Sequence, residues 1–371
     1  MLPLIVLRRL DSVLLPTKQA VLEAKGKYEQ MGLEGEAFEK TIARVAMGDH
    51  RQQSLYNLSE FTFEKLLADS EGLADNLRAY INGFSPLARD IFEKFELDNE
   101  IQRLDEANRL YEVLKAISSP EIDLSPERLS NLQMGYLFEE LVRKFNEQAN
   151  EEAGDHFTPR EVIKLMVNLV FCDEEAIFTK GIYRSIYDPT AGTGGMLSVS
   201  EEYIKRQNPD ANLQLFGQEY NPESYAICCA DLLIKDEPIN NLVYGDTLGV
   251  KNARSKNNNF VPHDGHSDKR FHYMFSNPPF GVEWKPEQDF IEDEYNNSGF
   301  DGRFGAGLPR INDGSLLFLQ HMISKMHPSP DNGGDGSRIA IVFNGSPLFT
   351  GDAGSGESNI RRWIIENDWL A

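Results

Sequence analysis

The apolar run FHYMFSN (271–277) ends in Asn277-Pro278-Pro279-Phe280-Gly281. Two consecutive prolines cannot continue a central strand, because neither has an N–H for the ladder. The stretch has two readings: a proline turn that contains a phenylalanine, or a pocket for a flat ring bearing an amine. In the second, the Asn277 side-chain carbonyl and the Pro278 backbone carbonyl accept the two amine protons, and Phe280 stacks on the ring. An aromatic amine is a poor nucleophile because its lone pair is delocalised. Two acceptors draw its nitrogen towards a tetrahedral form that can attack an activated methyl in line, without a strong base.

Three further stretches could serve the same chemistry. YDPTAGTGGML (187–197) puts Asp188 at a strand end, then Gly192, Gly194 and Gly195, then a helix. Glycines let the backbone approach a ligand closely, and a helix N-terminus presents free N–H groups. The loop meets neither the GxGxxG fingerprint nor the Lys-Ser/Thr of a phosphate-cradling loop, so a carboxylate or a bare ligand edge suits it better than a pyrophosphate. In LFGQEYNPESY (215–225), Glu219 closes a strand where an acidic residue accepts from both ribose hydroxyls of a nucleoside. In YGDTL (244–248), Asp246 can accept from an exocyclic adenine amine. Singly these are a packing turn, a solvated glutamate and a capping aspartate; three in strand order weigh against coincidence.

The elements that must position these residues are legible from Gly154 onward. Strand candidates at 184–188, 213–219, 241–246, 271–277 and 338–344 alternate with helix candidates at 160–171, 195–207, 221–235 and 314–327. Such alternation predicts an α/β fold, a doubly wound, mostly parallel sheet with helices on both faces. Ligands of such sheets bind at the carboxyl ends of the strands, where the chain order reverses. Two polar segments interrupt the pattern. Residues 249–270 read as a solvated loop, and 282–313 follows the prolines directly and would hang over a pocket there.

Residues 1–150 read instead as an all-α N-terminal domain, with apolar residues at three- and four-residue spacing in 103–117 and 129–145. Pro120 and Pro126 punctuate it, and DLSPERL offers Ser125 as an N-cap with Pro126 at the first helical position. The expected division is a helical domain over 1–150 and a catalytic domain over 151–371.

Composition narrows the class. The 371 residues contain no apolar run of membrane-spanning length, and the opening MLPLIVLRRL carries its basic pair after the apolar run, the reverse of a secretory signal. Cys172, Cys228 and Cys229 are too few for a disulfide framework or a zinc site, and adjacent Cys228 and Cys229 read as buried packing; a cytoplasmic location fits. His263, His266 and His272 lack carboxylates at metal-ligand spacing, so no metal is expected. The net charge of −22 is opposite to that of a chain that grips phosphates alone. Either nucleic acid is not touched, or a basic partner does much of the gripping.

DPTAGTGG followed by SNPPFG resembles the motifs of S-adenosylmethionine-dependent amino-methyltransferases acting on DNA. GDHFTPREVIKLMVNLV (154–170), FGQEYNPESYAICCADLLI, GDTL, LLFLQHMISKM and PLFTGDAGSGESNIRRWIIE narrow the likeness to the modification (M) subunits of type I restriction–modification systems. The helical part, with LPLIVLRRLD and GYLFEELVRKF, is similar to theirs as well. The resemblance implies methylation of the N6 amine of adenine at a specific DNA site, with S-adenosyl-L-methionine as cofactor. It implies that His156, Phe157, Thr158, Pro159 and Arg160 close over the cofactor, and that Asp188, Ala191, Gly192, Thr193 and Gly194 form its loop. Glu219 would clamp the ribose and Asp246 the adenine, with Asn277, Pro278, Pro279 and Phe280 catalytic. Implied partners are DNA, a specificity (S) subunit, a second M subunit and a restriction (R) subunit, with no membrane. Family members usually continue past a position like Ala371 with a helical tail, so a truncated C-terminus is expected.

Three rivals follow from the same residues. N4-cytosine methylation uses much the same amine chemistry, and a protein-glutamine methyltransferase uses a similar NPP-aromatic turn. A non-enzymatic interaction module with a decayed cofactor domain is the third, against which the intact Asn277 and glycine loop stand.

Overall fold

The computed structural model describes residues 1–48, 55–148, 158–249 and 264–370. The chain divides into two compact units, Met1–Glu151 with Ala226–Ile239, and Glu152–Tyr225 with Asn240–Ala371.

The first unit is helical. It begins with α1 (Leu2–Leu14), α2 (Lys18–Gln30), α3 (Gly35–Met47), α4 (Phe63–Ala68) and α5 (Leu73–Asn82). It continues with α6 (Pro86–Lys94), α7 (Leu97–Glu106), α8 (Leu110–Ile117) and α9 (Asn131–Gln148). Helix α1 buries Leu4, Val6, Leu7, Leu10 and Leu14 on its apolar stripe. Arg9 is buried on the same helix and donates to the Leu124 carbonyl at 2.6 Å and to Asn131 Oδ1 at 2.9 Å, hydrogen bonds that offset part of the cost of its desolvation.

Two details depart from the sequence reading. The stretch 103–117 is broken at Asn108, whose φ of +54° ends α7 before α8 starts. Ser125-Pro126 forms only a turn, and α9 starts after Ser130. There Ser130 Oγ accepts from the Gln133 N–H at 3.3 Å while Gln133 Oε1 accepts from the Ser130 N–H at 3.0 Å. This reciprocal capping box satisfies two helix-end donors, where Ser125 with Pro126 would satisfy fewer.

Among the described residues, the second unit is built on a five-stranded sheet. Its strands are β1 (Tyr183–Asp188), β2 (Asn212–Glu219), β3 (Leu242–Tyr244), β4 (Tyr273–Ser276) and β5 (Arg338–Ile341). They lie in the order β3-β2-β1-β4-β5, and every pairing is parallel. The chain order therefore reverses between β1 and β4, which pair Ile186 with Tyr273 and Tyr187 with Met274. Four helices accompany the sheet: α10 (Arg160–Phe171), α11 (Gly195–Gln207), α13 (Gln288–Ser298) and α14 (Ser315–Ser324); α12 (Pro222–Lys235) falls mostly within the Ala226–Ile239 segment of the first unit. Two more, α15 (Ser346–Phe349) and α16 (Gly356–Glu366), follow β5.

Strand alternation sends neighbouring side chains to opposite faces. On one face Tyr187, Phe216 and Met274 pack with Phe271 and with Met322 of α14. On the other, Phe171 of α10 meets Tyr273 edge-on at 4.8 Å and Phe275 at 6.0 Å. The sheet is covered on both faces, as the near-continuous apolar strands require. Cys228 and Cys229 are buried on α12.

The interrupting segments are more structured than their composition suggests. The segment after the prolines holds α13 between two short 3₁₀ turns, and its Trp284, Ile291 and Phe304 form a core with Leu248, Leu317 and Phe318. Residues 250–263 of the other lie outside the described residues; its end is largely exposed but anchored at three points. His266 is buried, the Gly265 N–H donates to Gln218 Oε1 at 3.0 Å, and Asp264 pairs with Lys325. No described helix is long and apolar enough to cross a membrane.

Candidate functional site

A cavity of about 570 Å³ opens at the carboxyl ends of β1, β2, β3 and β4, across the point where the strand order reverses. Each strand delivers one polar residue to it: Asp188 from β1, Glu219 from β2, Asp246 just past β3, and Asn277 just past β4.

The glycine loop is shaped by backbone conformation. Gly192 has φ +53° and Gly194 φ +85°, the left-handed region that a Cβ disfavours, and the turn feeds α11 at Gly195. Both oxygens of Glu219 hold backbone, accepting from the Gly192 N–H at 2.7 Å and the Asn221 N–H at 2.6 Å. Each carboxylate oxygen has a second lone pair, so the group retains acceptor capacity towards the cavity. Asp188 Oδ1 accepts from the Thr190 N–H at 2.9 Å. Burial, with the neighbouring charge of Glu219, pushes the Asp188 carboxyl up to about 7.

At the β4 end the Asn277 amide is half engaged. Its Nδ2 donates to Thr158 Oγ1 at 3.0 Å, while its Oδ1 is buried with no hydrogen-bond partner among the described residues. A buried acceptor without a donor costs about 1–3 kcal/mol, so it calls for a reason.

Of the other expected residues, Thr158, Ala191, Gly192, Thr193 and Pro279 line the cavity. Pro278 is buried and Phe280 stands 37% exposed; neither they nor Gly194 and Pro159 form the wall. Arg160 pairs with Glu202 of α11 at 3.0 Å. His156 and Phe157 lie outside the described residues.

The structure adds wall residues that sequence reasoning did not single out. Glu283, Trp284 and Glu287 come from the segment after the prolines, whose only signal was its position beside the pocket. Burial, with the charge of Asp246, pushes the Glu287 carboxyl up to about 7, and burial also raises Asp246. Arg303, from the same segment, donates to the carbonyls of Thr247 at 2.7 Å and Leu248 at 3.3 Å while paired with Glu294 at 2.8 Å. It thereby ties the loop after β3 to the segment that covers the cavity. The described wall carries five carboxyl groups and no Lys or Arg. Such a lining repels pyrophosphate and favours a ligand that carries positive charge.

The N-6 DNA Methylase family profile matches residues 130–371, and the HsdM N-terminal domain profile matches 1–117. The chain belongs to the N-6 DNA Methylase family. Among the relatives of this methylase-family chain is the type I restriction enzyme HindI methylase subunit of Haemophilus influenzae. It is 24% identical over 77% of this chain and 60% of the relative. The EcoKI methylase subunit of Escherichia coli is 25% identical over 62% of this chain and 38% of that protein. The chain therefore spans roughly 40–60% of the length of such curated relatives. The crystal structure of a type I restriction-modification system methyltransferase subunit from Streptococcus thermophilus superposes with a TM-score of 0.65 at 22% identity. The match covers 98% of this chain and 73% of that one, and shows the shared fold.

Proposed function

We propose that this chain is the modification subunit of a type I restriction–modification system and methylates the N6 amine of adenine in DNA, using S-adenosyl-L-methionine. The observation that carries the reading is Asn277 at the switch point of the sheet, with Nδ2 held by Thr158 and Oδ1 buried without a donor among the described residues. A flipped-out adenine would supply the missing N–H once the approach to Oδ1 opens. The Pro278 carbonyl would take the second amine proton, and Phe280 would lie against the base. In this reading the chain orients the amine and draws its hydrogens into two acceptors, and no residue has to act as a strong base.

The cavity residues fit the cofactor. The glycine turn gives close backbone approach, Glu219 retains acceptor capacity for ribose hydroxyls, and the acidic, cation-free wall suits a sulfonium and an ammonium. S-adenosylmethionine, when bound, supplies an electrophilic methyl group. By resemblance, Gly194 is assigned to the cofactor loop, and His156, Phe157, Pro159 and Arg160 to closing over the cofactor.

The net charge of −22 supports dependence on partners. DNA would be gripped mainly by a basic specificity subunit flanked by this chain and a second copy, with a restriction subunit joining, in the cytoplasm. The proposed domains are the helical part over 1–150 and the catalytic part over 151–371.

The test is methyl transfer from labelled S-adenosylmethionine to DNA by the chain with its specificity subunit, followed by nucleoside analysis. N6-methyladenine is expected. N4-methylcytosine, or label in protein glutamine, would replace this reading with a rival.

A further inference from the structure

Glu287 is a cavity carboxyl group that the strand-end pattern does not announce. It sits on the 3₁₀ turn Lys285–Glu287, before α13, and its side chain lies within hydrogen-bonding reach of that of Asp246. Both line the cavity, with Leu248, Trp284 and Phe318 in the same wall. Two carboxyl groups can bond in this way only if one carries a proton. We propose that the Asp246–Glu287 pair reads the Watson–Crick edge of the cofactor's adenine: charged Asp246 accepts from the N6 amine, and protonated Glu287 donates to N1. The assignment rests on the cavity being an S-adenosylmethionine site.

The chemistry follows from the edge itself. Adenine presents a donor at N6 and, beside it, an acceptor at N1. A pair of charged carboxylates would set one negative group against the N1 lone pair. A pair sharing a proton offers one acceptor and one donor, which is the complement. The hydrogen bond that protonated Glu287 gives Asp246 before binding is given to N1 in the complex, and no covalent bond forms or breaks. A 6-oxo purine, with its acceptor and donor reversed, would meet the wrong group at both positions.

The surroundings favour this proton distribution. Burial and the charge of Asp246 push Glu287 up to about 7, while Arg303 favours the charged form of Asp246. Glu283 shares the wall, and Glu219 and Asp188 face the cavity from the β2 and β1 ends, all adding negative potential. The sign follows. Below about pH 7 the pair already holds its proton; above it, the proton must be taken up on binding, so affinity is lost as pH rises by up to about tenfold per unit.

The test is calorimetry of S-adenosylmethionine binding to the full chain between about pH 6 and pH 9, in buffers of different ionisation enthalpy. Wild type is expected to take up close to one proton near pH 8, with affinity falling accordingly. Glu287→Gln keeps an N–H donor for N1 and is expected to bind with a flatter pH profile and without that uptake. Glu287→Ala should bind more weakly at low pH. The ligand's own ammonium titrates equally in all three, so the difference between variants isolates residue 287. Glu287→Gln that retains the wild-type uptake and slope would overturn the proposal and point to Asp188. So would wild-type binding without uptake, or Glu287→Ala binding like wild type. Absence of binding by wild type at every pH would overturn the cofactor reading itself, and the assignment with it.

Discussion

The two ends of the sheet in the second unit hold similar residues and do opposite things with them. At the amino ends, Ser185 Oγ lies 2.8 Å from His272 Nδ1, and His272 Nε2 lies 3.3 Å from Asp335 Oδ2. By composition this is a serine–histidine–aspartate set. Yet Ser185 and His272 are 2% and 5% exposed, and His272 Nδ1 also accepts from the Ser185 N–H at 3.1 Å, so the hydrogen bonds close on the strands themselves. At the carboxyl ends, Asp188, Glu219, Asp246 and Asn277 surround a cavity, and Asn277 keeps an acceptor that no described residue fills. What marks a site is unspent hydrogen-bonding capacity facing a space, more than the residue types present.

The sharpest way to break that contrast is Asn277→Ala. Loss of the acceptor that shapes the amine should lower kcat for methyl transfer by roughly 10²–10³-fold, with S-adenosylmethionine affinity nearly unchanged by calorimetry. Retained turnover would remove Asn277 from the chemistry. A smaller effect of another kind is expected from Glu219→Gln, which turns two backbone-holding oxygens into one oxygen and one donor. S-adenosylmethionine affinity should weaken by roughly tenfold to a hundredfold, in line with charged hydrogen bonds of about 1.5–3 kcal/mol, and kcat at saturation should change little. Equal losses in kcat and affinity would contradict a purely binding role.

The smallest effect is expected at the other end of the sheet. Ser185→Ala should cost about 1 kcal/mol, a fall in Tm of about 2–4 °C, and leave kcat and KM unaltered. His272 belongs to the same comparison. Burial, with nearby His327 and Arg184, lowers it to about 4, below its ordinary value of 6.5. A depressed histidine is neutral in the fold and charges on unfolding, so its contribution is present above about pH 6.5 and lost as pH falls towards 4. Melting curves across that range should show the acid sensitivity in wild type and less of it in His272→Phe. A change in methyl transfer from either amino-end variant would erase the distinction between the two ends.

Much of this was legible beforehand because it is local. Strand and helix periods, the glycines at 192 and 194, and the prolines after Asn277 are short-range properties, and the helix expected over 160–171 spans those residues. The start of α9 was misplaced because two serines compete as caps and only one has a partner three residues on, in Gln133. The segment 282–313 was read as polar cover because its few apolar residues, Trp284, Ile291 and Phe304, carry no clean period. They find their core in residues distant in sequence.

The sequence by itself determined the parallel sheet, the order of the strand-end residues and the family resemblance, since each depends on neighbours along the chain. Only the tertiary structure decided that Thr158 occupies the amide nitrogen of Asn277, while no described residue donates to its carbonyl. The same is true of Glu287 reaching the cavity beside Asp246, and of Arg303 anchoring the loop beside them. These are pairings across tens of residues, set by where strand order reverses and by which groups are taken out of water together. Burial and distance of that kind are properties of the folded chain and have no period to read.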